Sequence, residues 1–475
     1  MSTFSGLGTA LSSLIAQRQA LEVSGQNIAN ANTVGYTRQR AAISSLPAAQ
    51  LPSMFSTSNG PGYGTAVTDI ARLNDVFLDA QVRTTTASSS FLSARASASK
   101  LLETNIGEPA ATGLATQLTD LWAAFGDVAN SPDKDSSRAV LLETATAVAD
   151  RIGTLYTAAG TQWSQARTQT TSLVAQANTS AANIADLNKR ILAIENSGSS
   201  ANELKDQRDL LVTELSGLVG ATTRTQENGQ IDVLVGGNML VDGSKVRELA
   251  VTGAAGFADA TGGAEVKVVW AADTSRSAGL EGGQVAGLLS VLAPPAAGGT
   301  GGLLTEAAAS YDKLATQLAT QVNALHRQAV TIGGAQGGDF FDFTAGQPAA
   351  LGLKVAIDDP ALVAVAAPGA GALDGSFARQ IAQLGTSVNG PDAAWSAFVV
   401  QLGVSTASAT SRATAAEATR ASASAQQIAQ TSVDTDEETV NMLAYQRAYE
   451  GAARVLSAID EMLDTLINRT GIVGR

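Results

Sequence analysis

Apolar residues near the start of the chain recur at alternating spacings of three and four positions. The stripe consists of Phe4, Leu7, Leu11, Leu14, Leu21 and Ile28, with Arg18 and Gly25 at the two remaining positions. This heptad spacing predicts a helix that packs along a partner helix. Between Met1 and Gly35 the only charged residues are Arg18 and Glu22, whereas a solvent-exposed helix usually carries more charge. The alternative is a surface helix that docks on its own domain.

A second stripe with the same spacing lies near the end of the chain. It comprises Met442, Tyr445, Tyr449, Ala452, Leu456, Ile459, Leu463 and Leu466. Asp434, followed three positions later by Glu437, is a typical helix cap ahead of this stripe. Stripes at opposite ends of a long chain can each be buried by pairing with the other, so we predict a coiled coil of the terminal helices. A local helical hairpin is the alternative.

The interior of the chain changes its periodicity several times. Ser, Pro and Gly are frequent at 37–75, which predicts an irregular or hairpin segment with a turn at SNGPGYGT (58–65). Apolar residues then follow the helical period until the pattern switches to strict alternation, as at Ile231, Val233 and Val235, which predicts strands. The remaining predicted segments are helices at 76–219, 303–327 and from 393 onward, strands at 222–285, and loops with some strand at 332–391.

These segments predict a nested fold that is mainly α with an inserted β domain, of the α+β class. We expect the terminal helices to form the outermost unit and the strands to be the central insertion. The predicted domains are the terminal coiled coil (1–36 and 432–475), a mainly helical domain (37–221 and 286–431, including the extended or loop segments 37–75 and 332–391) and a β domain (222–285).

Charge and composition exclude several classes of partner. The formal net charge is −13, which argues against a nucleic-acid partner. The chain has no cysteine, so it forms no disulfides, thiolate metal sites or cysteine nucleophile. It has no apolar run of about 18 residues, and we expect no membrane insertion. The first residues lack the pattern of a cleavable signal peptide, so export would use a route without one.

Candidate catalytic and metal-binding patterns are weak. His326 is the single histidine, and its position in a helical run favours a packing or surface role over that of a catalytic base. GGAQGGDFF (333–341) lacks the Lys-Ser/Thr of a phosphate loop, and DTDEE (434–438) lacks the Gly and Glu positions of a calcium loop. We therefore predict no enzyme activity, no cofactor and no metal site. An exported, carboxylate-dependent cell-wall hydrolase is a remote alternative, because no acid pair stands out.

Several motifs resemble those of one protein family. NIANANTVGYTRQR (27–40) resembles the N-terminal signature of the axial proteins of the bacterial flagellum, which are its rod, hook and hook-associated subunits. The closing segment from 433 to 468, together with DQRDLLVTELS (206–216) and GGQVAGLLSVL (282–292), is similar to the hook-associated protein 1 family. The resemblance spans nearly the whole chain, and the short Ala/Gly-rich segment 344–391 departs from it.

This resemblance implies a structural role outside the cell, at the junction between the flagellar hook and filament. It implies a helical or tubular homo-oligomer in which the terminal helices form an inner tube. The implied partners are hook protein, hook-associated protein 3 and a flagellar export chaperone bound to the C-terminal helix. A rod-type or hook-type subunit, or hook-associated protein 3 itself, is the alternative within the same class.

Three asparagines, Asn27, Asn30 and Asn32, lie close together at the end of the first predicted helix. Asn is a poor helix former because its amide competes for backbone hydrogen bonds. In a tubular assembly such amides can join helix ends to neighbouring subunits without adding charge. The other interpretation is that they cap only their own helix, and the sequence leaves both open. We expect these asparagines and the apolar residues of the two stripes to form the assembly surface.

Overall fold

The computed structural model describes residues 3–47 and 62–469, without the side chains of Thr3, Phe4 and Arg469. The side chain of the predicted stripe residue Phe4 and the first half of the predicted turn at 58–65 lie outside this description. The helices are α1 (Thr3–Ala29), α2 (Val76–Ile106), α3 (Leu114–Asn130), α4 (Asp135–Asn196), α5 (Asn202–Val219), α6 (Phe257–Thr261), α7 (Gly283–Leu292), α8 (Leu303–His326), α9 (Ala349–Gly352), α10 (Ser376–Ala382), α11 (Pro391–Thr431) and α12 (Thr435–Asp464). A π-helical turn, Thr465–Arg469, follows α12.

The strands form small antiparallel sheets, so the fold is mainly α with added β structure, as predicted. They are β1 (Gln39–Ser45), β2 (Thr65–Arg72), β3 (Thr222–Thr225), β4 (Ile231–Val235), β5 (Asn238–Asp242), β6 (Lys245–Val246), β7 (Leu249–Gly253), β8 (Val266–Trp270), β9 (Asp273–Ser277), β10 (Phe341–Phe343) and β11 (Leu353–Val355). The sheet orders are β1-β2, β3-β4-β5-β6, β7-β8-β9 and β10-β11.

The two ends of the chain come together as an antiparallel helix pair. Gly6, near the start of α1, lies so close to α12 that a methyl group added there would be 3.2 Å from Cδ1 of Ile459. Val23, near the end of α1, shares a small core with Tyr445 in the first half of α12. The predicted pairing of the terminal helices is confirmed. Hairpin β1-β2 packs on α1 beside them, and we call α1, α12 and this hairpin the terminal unit.

Helices α2 and α11 form a second antiparallel pair, which connects the terminal unit to the rest of the molecule. The Gln427 amide donates to Asp79 at 2.6 Å, and two to three turns further along α2 the Ser89 hydroxyl donates to Glu417 at 2.8 Å. Because α2 begins and α11 ends at the same level, the chain leaves and re-enters the terminal unit side by side.

The 62-residue helix α4 runs through both large cores of the molecule. Its first half, with Leu141, Ile152 and Trp163, packs in a core shared with α3, α8 and the start of α11. Its second half, with Val174 and Ile184, packs in a separate core against α5 and the sheets of 222–277. These strands therefore share a core with α4, α5 and the start of α7, and the division into the predicted domains stays an interpretation.

The segment 332–391 contains more regular structure than the predicted loops with some strand. Strands β10 and β11 pair from Phe341 with Val355 to Phe343 with Leu353. The short helices α9 and α10 lie in the same segment, at 349–352 and 376–382. The sequence did not predict these two helices because each is too short to establish a helical period.

Candidate assembly interface

The face of α1 that packs inside the molecule lies one residue away from the predicted stripe. Its buried residues are Ala10, Ala16, Ala20, Val23, Ser24 and Asn27. Ala10, Ala20 and Asn27 each precede a predicted stripe residue by one position, a rotation of about 100° around the helix. Ala20 and Val23 of this face share a small core with the hairpin and with Tyr445 of α12, so the buried face of α1 packs between the hairpin and α12.

The larger residues of the predicted α1 stripe remain partly accessible. Leu7, Leu14, Leu21 and Ile28 are half-buried, and Leu11 is 47% exposed. Ile15, which the sequence pattern did not single out, is 48% exposed beside Leu11. The predicted stripe therefore has only part of its apolar surface covered within its own chain.

The predicted stripe of α12 faces α1 more directly. Ala452 and Ile459 are buried, and the other stripe residues within the helix are half-buried: Met442, Tyr445, Tyr449, Leu456 and Leu463. The last predicted residue, Leu466, lies in the π-helical turn and is exposed.

Apolar residues missed by the heptad pattern also lie on the outer side of α12. Val440, Leu443, Val455 and Met462 are all exposed. With Leu11 and Ile15 they give the helix pair an uncovered apolar surface. We call these six residues the outer face. An exposed apolar surface of this kind is a candidate interaction site.

The asparagines at the end of α1 form bonds within their own chain. Asn27 is buried, its amide nitrogen donates to the Gln39 carbonyl at 2.8 Å, and its oxygen accepts from the Gln39 N–H at 3.0 Å. The Tyr36 hydroxyl donates to the same oxygen at 2.9 Å, and burial raises the pKa of Tyr36 to about 12. Asn30 donates to the Gln26 carbonyl one turn back. The Asn27 side chain thus bonds both backbone groups of Gln39 and joins strand β1 to α1.

Asn32 is exposed in the bend that follows α1. Asn27 and Asn30 thus form bonds within their own chain. Contact of the three asparagines with a neighbouring subunit stays a prediction.

Arg38 connects the N-terminal hairpin to the start of the C-terminal helix. Its guanidinium lies 2.9 Å from Glu437 and 2.7 Å from Glu438, whose side chain is only 3% exposed. The hydrogen bond to Glu437 contributes most to raising the pKa of Arg38. Asp434 caps α12 as predicted, accepting from the N–H groups of Asp436 and Glu437. The Glu437 side chain, which we expected in the cap, instead pairs with Arg38.

A second ion-pair cluster holds the hairpin on α5. Arg72, at the end of β2, lies 2.7 Å from Asp206 and 2.8 Å from Asp209, and Arg72 and Asp206 are less than a tenth exposed. Asp206 also accepts from the Thr37 N–H at 3.0 Å, and the Asn202 amide donates to the Ile70 carbonyl at 2.7 Å. Burial raises the pKa of Asp206, while Arg72 and Thr37 lower it. DQRD (206–209) thus attaches the terminal unit to α5 and the helices packed with it (α2, α4 and α7), which we call the helical frame.

His326 is buried, and its ring packs edge-on against Phe340 with the ring centroids 5.5 Å apart. Its Nε2 accepts from the Ala364 N–H at 2.8 Å, so its Nδ1 carries the proton and donates to the Gly338 carbonyl, also at 2.8 Å. Both nitrogens are occupied by backbone groups, and burial lowers the pKa of the imidazole. His326 therefore has a packing role, which is one of the two roles that the sequence favoured.

Clusters of metal-binding side chains and membrane-spanning helices are both absent from the described part of the chain. Residues 3–47 and 62–469 contain no group of three or more His, Asp or Glu side chains arranged to hold a metal ion. Within the same residues, none of the helices combines the length and apolar character needed to cross a membrane.

Comparisons with known proteins assign this architecture to a family. Flagellar hook-associated protein 1 of Bacillus subtilis is 30% identical over 511 residues, in an alignment that spans the whole of both chains. The model of the family described as flagellar hook-associated protein FlgK helical domain matches residues 99–341. The chain belongs to the flagellar hook-associated protein 1 family. It is a structural protein of the bacterial flagellum.

Further relatives agree with the hook-associated protein 1 family. The Escherichia coli hook-associated protein 1 is 28% identical over 356 residues, which are 73% of this chain and 61% of that protein. The flagellar hook junction protein FlgK from Burkholderia pseudomallei shares the fold, with a TM-score of 0.62 at 18% identity, over 73% of this chain and 99% of that chain.

The ends of the chain match broader families of the flagellar axis. Residues 7–37 match a model described as flagella basal body rod protein, and residues 426–469 match one described as flagellar basal body rod FlgEFG protein C-terminal. These terminal matches alone would fit a rod subunit. The match to the FlgK helical domain distinguishes this chain from that alternative.

Proposed function

We propose that this chain is the structural subunit of the hook–filament junction and acts mechanically, by assembling into a layer between the two. The observation that carries the proposal is the outer face, defined by Leu11, Ile15, Val440, Leu443, Val455 and Met462, which the terminal helix pair leaves uncovered. Burying a large apolar side chain contributes about 1.5–3 kcal/mol. Neighbouring helix pairs packed side by side would gain, for each of these residues, the part of this energy that corresponds to its exposed fraction.

The ion-pair clusters supply the rigidity that a mechanical joint needs. Arg38 fixes the start of α12 to the hairpin, and Arg72 fixes the hairpin to α5. A load applied to the terminal unit is therefore transmitted to the helical frame through buried, charge-assisted contacts. Such pairs are costly to break because each leaves an unpaired buried charge.

We infer the partners of this chain from its membership of the family. We infer contacts with copies of the same chain around the layer, with hook protein on one side and with hook-associated protein 3 on the other. An export chaperone on α12 fits the exposed apolar residues of that helix, which need cover before assembly. We propose no catalytic activity for this chain.

Labelling by antibody on isolated hook–basal bodies and on filaments tests the location. We expect label at a single position, the far end of the hook. Label along the hook or within the rod would contradict the proposal in favour of a rod-type or hook-type subunit. Loss of a cell-wall hydrolase activity after substitution of single carboxylates, with assembly intact, would favour the enzyme alternative.

A further inference from the structure

Asparagine followed by glycine is prone to spontaneous deamidation, because glycine has no side chain to hinder attack by its own backbone nitrogen. The backbone N–H loses its proton to solvent, and the nitrogen attacks Cγ of the asparagine and closes a succinimide ring. The side-chain amide takes up a proton and leaves as ammonia. Water then opens the ring at either carbonyl, which gives aspartate or isoaspartate. The sequence contains this dipeptide at 59–60, 228–229 and 389–390, and the first of these lies outside the described residues.

The two described dipeptides occupy the same positions in their turns. The Gly229 N–H donates to the Gln226 carbonyl at 3.1 Å, and the Gly390 N–H donates to the Ser387 carbonyl at 2.9 Å. Each asparagine is therefore the third residue of a β-turn that its glycine closes. At both sites the attacking nitrogen becomes available only when this bond opens, so the backbone does not distinguish one site from the other.

The side chain of Asn228 is fixed within its turn. Its Nδ2 donates to Oε1 of Gln230 at 3.0 Å, and its Oδ1 accepts from the Gln230 N–H, also at 3.0 Å. Gln230 is itself buried, and the turn joins the paired strands β3 and β4. Rotation of the Asn228 amide toward the Gly229 nitrogen therefore has to break two hydrogen bonds in addition to the one that closes the turn.

The side chain of Asn389 has no such restraint. Asn389 is exposed, and its side chain forms no hydrogen bond with the residues at 3–47 and 62–469. Its backbone carbonyl instead accepts from the side-chain amides of Gln317 and Gln321 on α8, at 2.7 and 2.8 Å. These bonds hold the backbone oxygen of Asn389 on α8 and leave the side-chain amide in solvent, where it can rotate.

We propose that Asn389 is the deamidation site of the folded subunit and that Asn228, in an equivalent turn, is protected by its side-chain bonds. Two hydrogen bonds that must break before reaction correspond to a difference in rate on the order of tenfold. This inference does not depend on the proposed function, because it concerns the isolated subunit.

Deamidation at Asn389 would change the start of α11, the helix that leads to the terminal unit. An aspartate there adds a negative charge next to Gly390, the N-cap of α11, and a negative charge is favourable near a helix N-terminus. Isoaspartate instead adds one carbon to the main chain. A methyl group on Gly390 would lie 2.2 Å from the Leu384 carbonyl oxygen, so this segment has little room. The extra carbon must therefore displace the first turn of α11 or break its contact with α8.

Peptide mapping by mass spectrometry tests the proposal on the purified, full-length protein. The folded protein is incubated at mildly alkaline pH, and samples taken over time are digested with a protease. The peptides that contain each asparagine are separated so that the Asn, Asp and isoaspartate forms are resolved. We expect Asn389 to be converted on the order of tenfold faster than Asn228.

Two controls separate the effect of the turns from that of neighbouring residues. In denaturant both turns are lost, and the two rates should become similar. The variant Gln230→Met removes the side-chain acceptor of Asn228 and keeps the side-chain length. In the folded variant we expect faster conversion of Asn228 and an unchanged rate at Asn389.

Three outcomes would overturn the proposal. The first is equal conversion of the two asparagines in the folded protein, or faster conversion of Asn228. The second is an intact Asn389 in the folded protein after a time that converts it completely in denaturant. The third is a difference between the two sites that persists in denaturant, because the residues beside each asparagine would then set the rate. The location of the subunit in the flagellum is measured separately, so none of these results would affect the proposed function.

Discussion

Arg38 illustrates how single residues join the two ends of the chain. Its guanidinium binds two carboxylates that lie about 400 residues later in the sequence. Replacing Arg38 with Gln would leave Glu438 buried and unpaired, which typically costs about 3–5 kcal/mol. We expect Arg38→Gln to release the first turns of α12, which would be seen as faster amide hydrogen exchange at 435–442, with exchange in α3 unchanged.

Arg18→Gln is the matched control for this variant. Arg18 pairs with Glu22 at 3.4 Å, and both side chains are more than 60% exposed. Exposed pairs of this kind contribute about 0–1 kcal/mol, so exchange should change little. Equal effects of the two substitutions would show that Arg38 does not hold α12.

His326 makes a prediction about pH. Burial lowers its pKa below the usual 6.5, so the folded state binds fewer protons than the unfolded state between the two values. The free energy of unfolding contributed by this residue is therefore fully present above about pH 6.5 and is lost as pH falls through the folded pKa. As the single histidine, it gives one imidazole signal in an NMR titration. We expect a midpoint below 6.5, and a midpoint above 7 would contradict the packing described for this residue.

At the level of elements, the sequence predicted the existence of the terminal helices better than it predicted their faces. The stripe of α12 was identified because its buried positions include large residues such as Ile459. The buried face of α1 was not, since it uses Ala10, Ala16 and Ala20, and such small residues give a weak hydrophobic pattern. Because of this offset, about half of Leu11 is left exposed.

Contacts between distant elements could not be predicted from the sequence. The segment containing Asp206 and Asp209 was recognised only as part of a family resemblance, because nothing local indicates that Arg72 lies beside them. Similarly, Asn27 is unusual in a helix, but only the structure shows that its amide bonds the backbone of Gln39. Pairings across long sequence separations depend on the fold as a whole.

Leu456→Asp tests the pairing of α12 with α1. Leu456 is half-buried between Ala452 and Ile459, and a carboxylate there must either be desolvated or separate the helices. We expect the helices of the terminal unit to lose hydrogen-exchange protection while the melting of the two large cores is unchanged. Glu450 is exposed on the same helix, so Glu450→Gln should change neither the hydrogen-exchange protection nor the melting. Unfolding of the large cores by Leu456→Asp would contradict the separation of the terminal unit from the helical frame.

In the molecule as a whole, different surfaces have different roles. The inner faces of α1 and α12 hold the terminal unit together, the ion pairs of Arg38 and Arg72 fix it to the helical frame, and the outer face remains uncovered. The family places such a chain in the flagellum. The outer face is therefore where a change should affect assembly and leave the fold of the subunit intact.

Leu11→Asp tests this most directly. Leu11 is 47% exposed, so the isolated subunit should melt within about 0.5 kcal/mol of the unsubstituted protein, the usual range for surface substitutions. The charge would have to be buried between neighbouring helix pairs, at a cost of several kcal/mol. Val388→Asp, which also introduces a carboxylate at an exposed site but outside the terminal unit, is the control.

The measurement is the fraction of subunits retained at the end of the hook, with filament protein lost to the medium as a second readout. We predict that Leu11→Asp abolishes retention and Val388→Asp preserves it, whereas normal retention of Leu11→Asp would contradict assembly through the outer face.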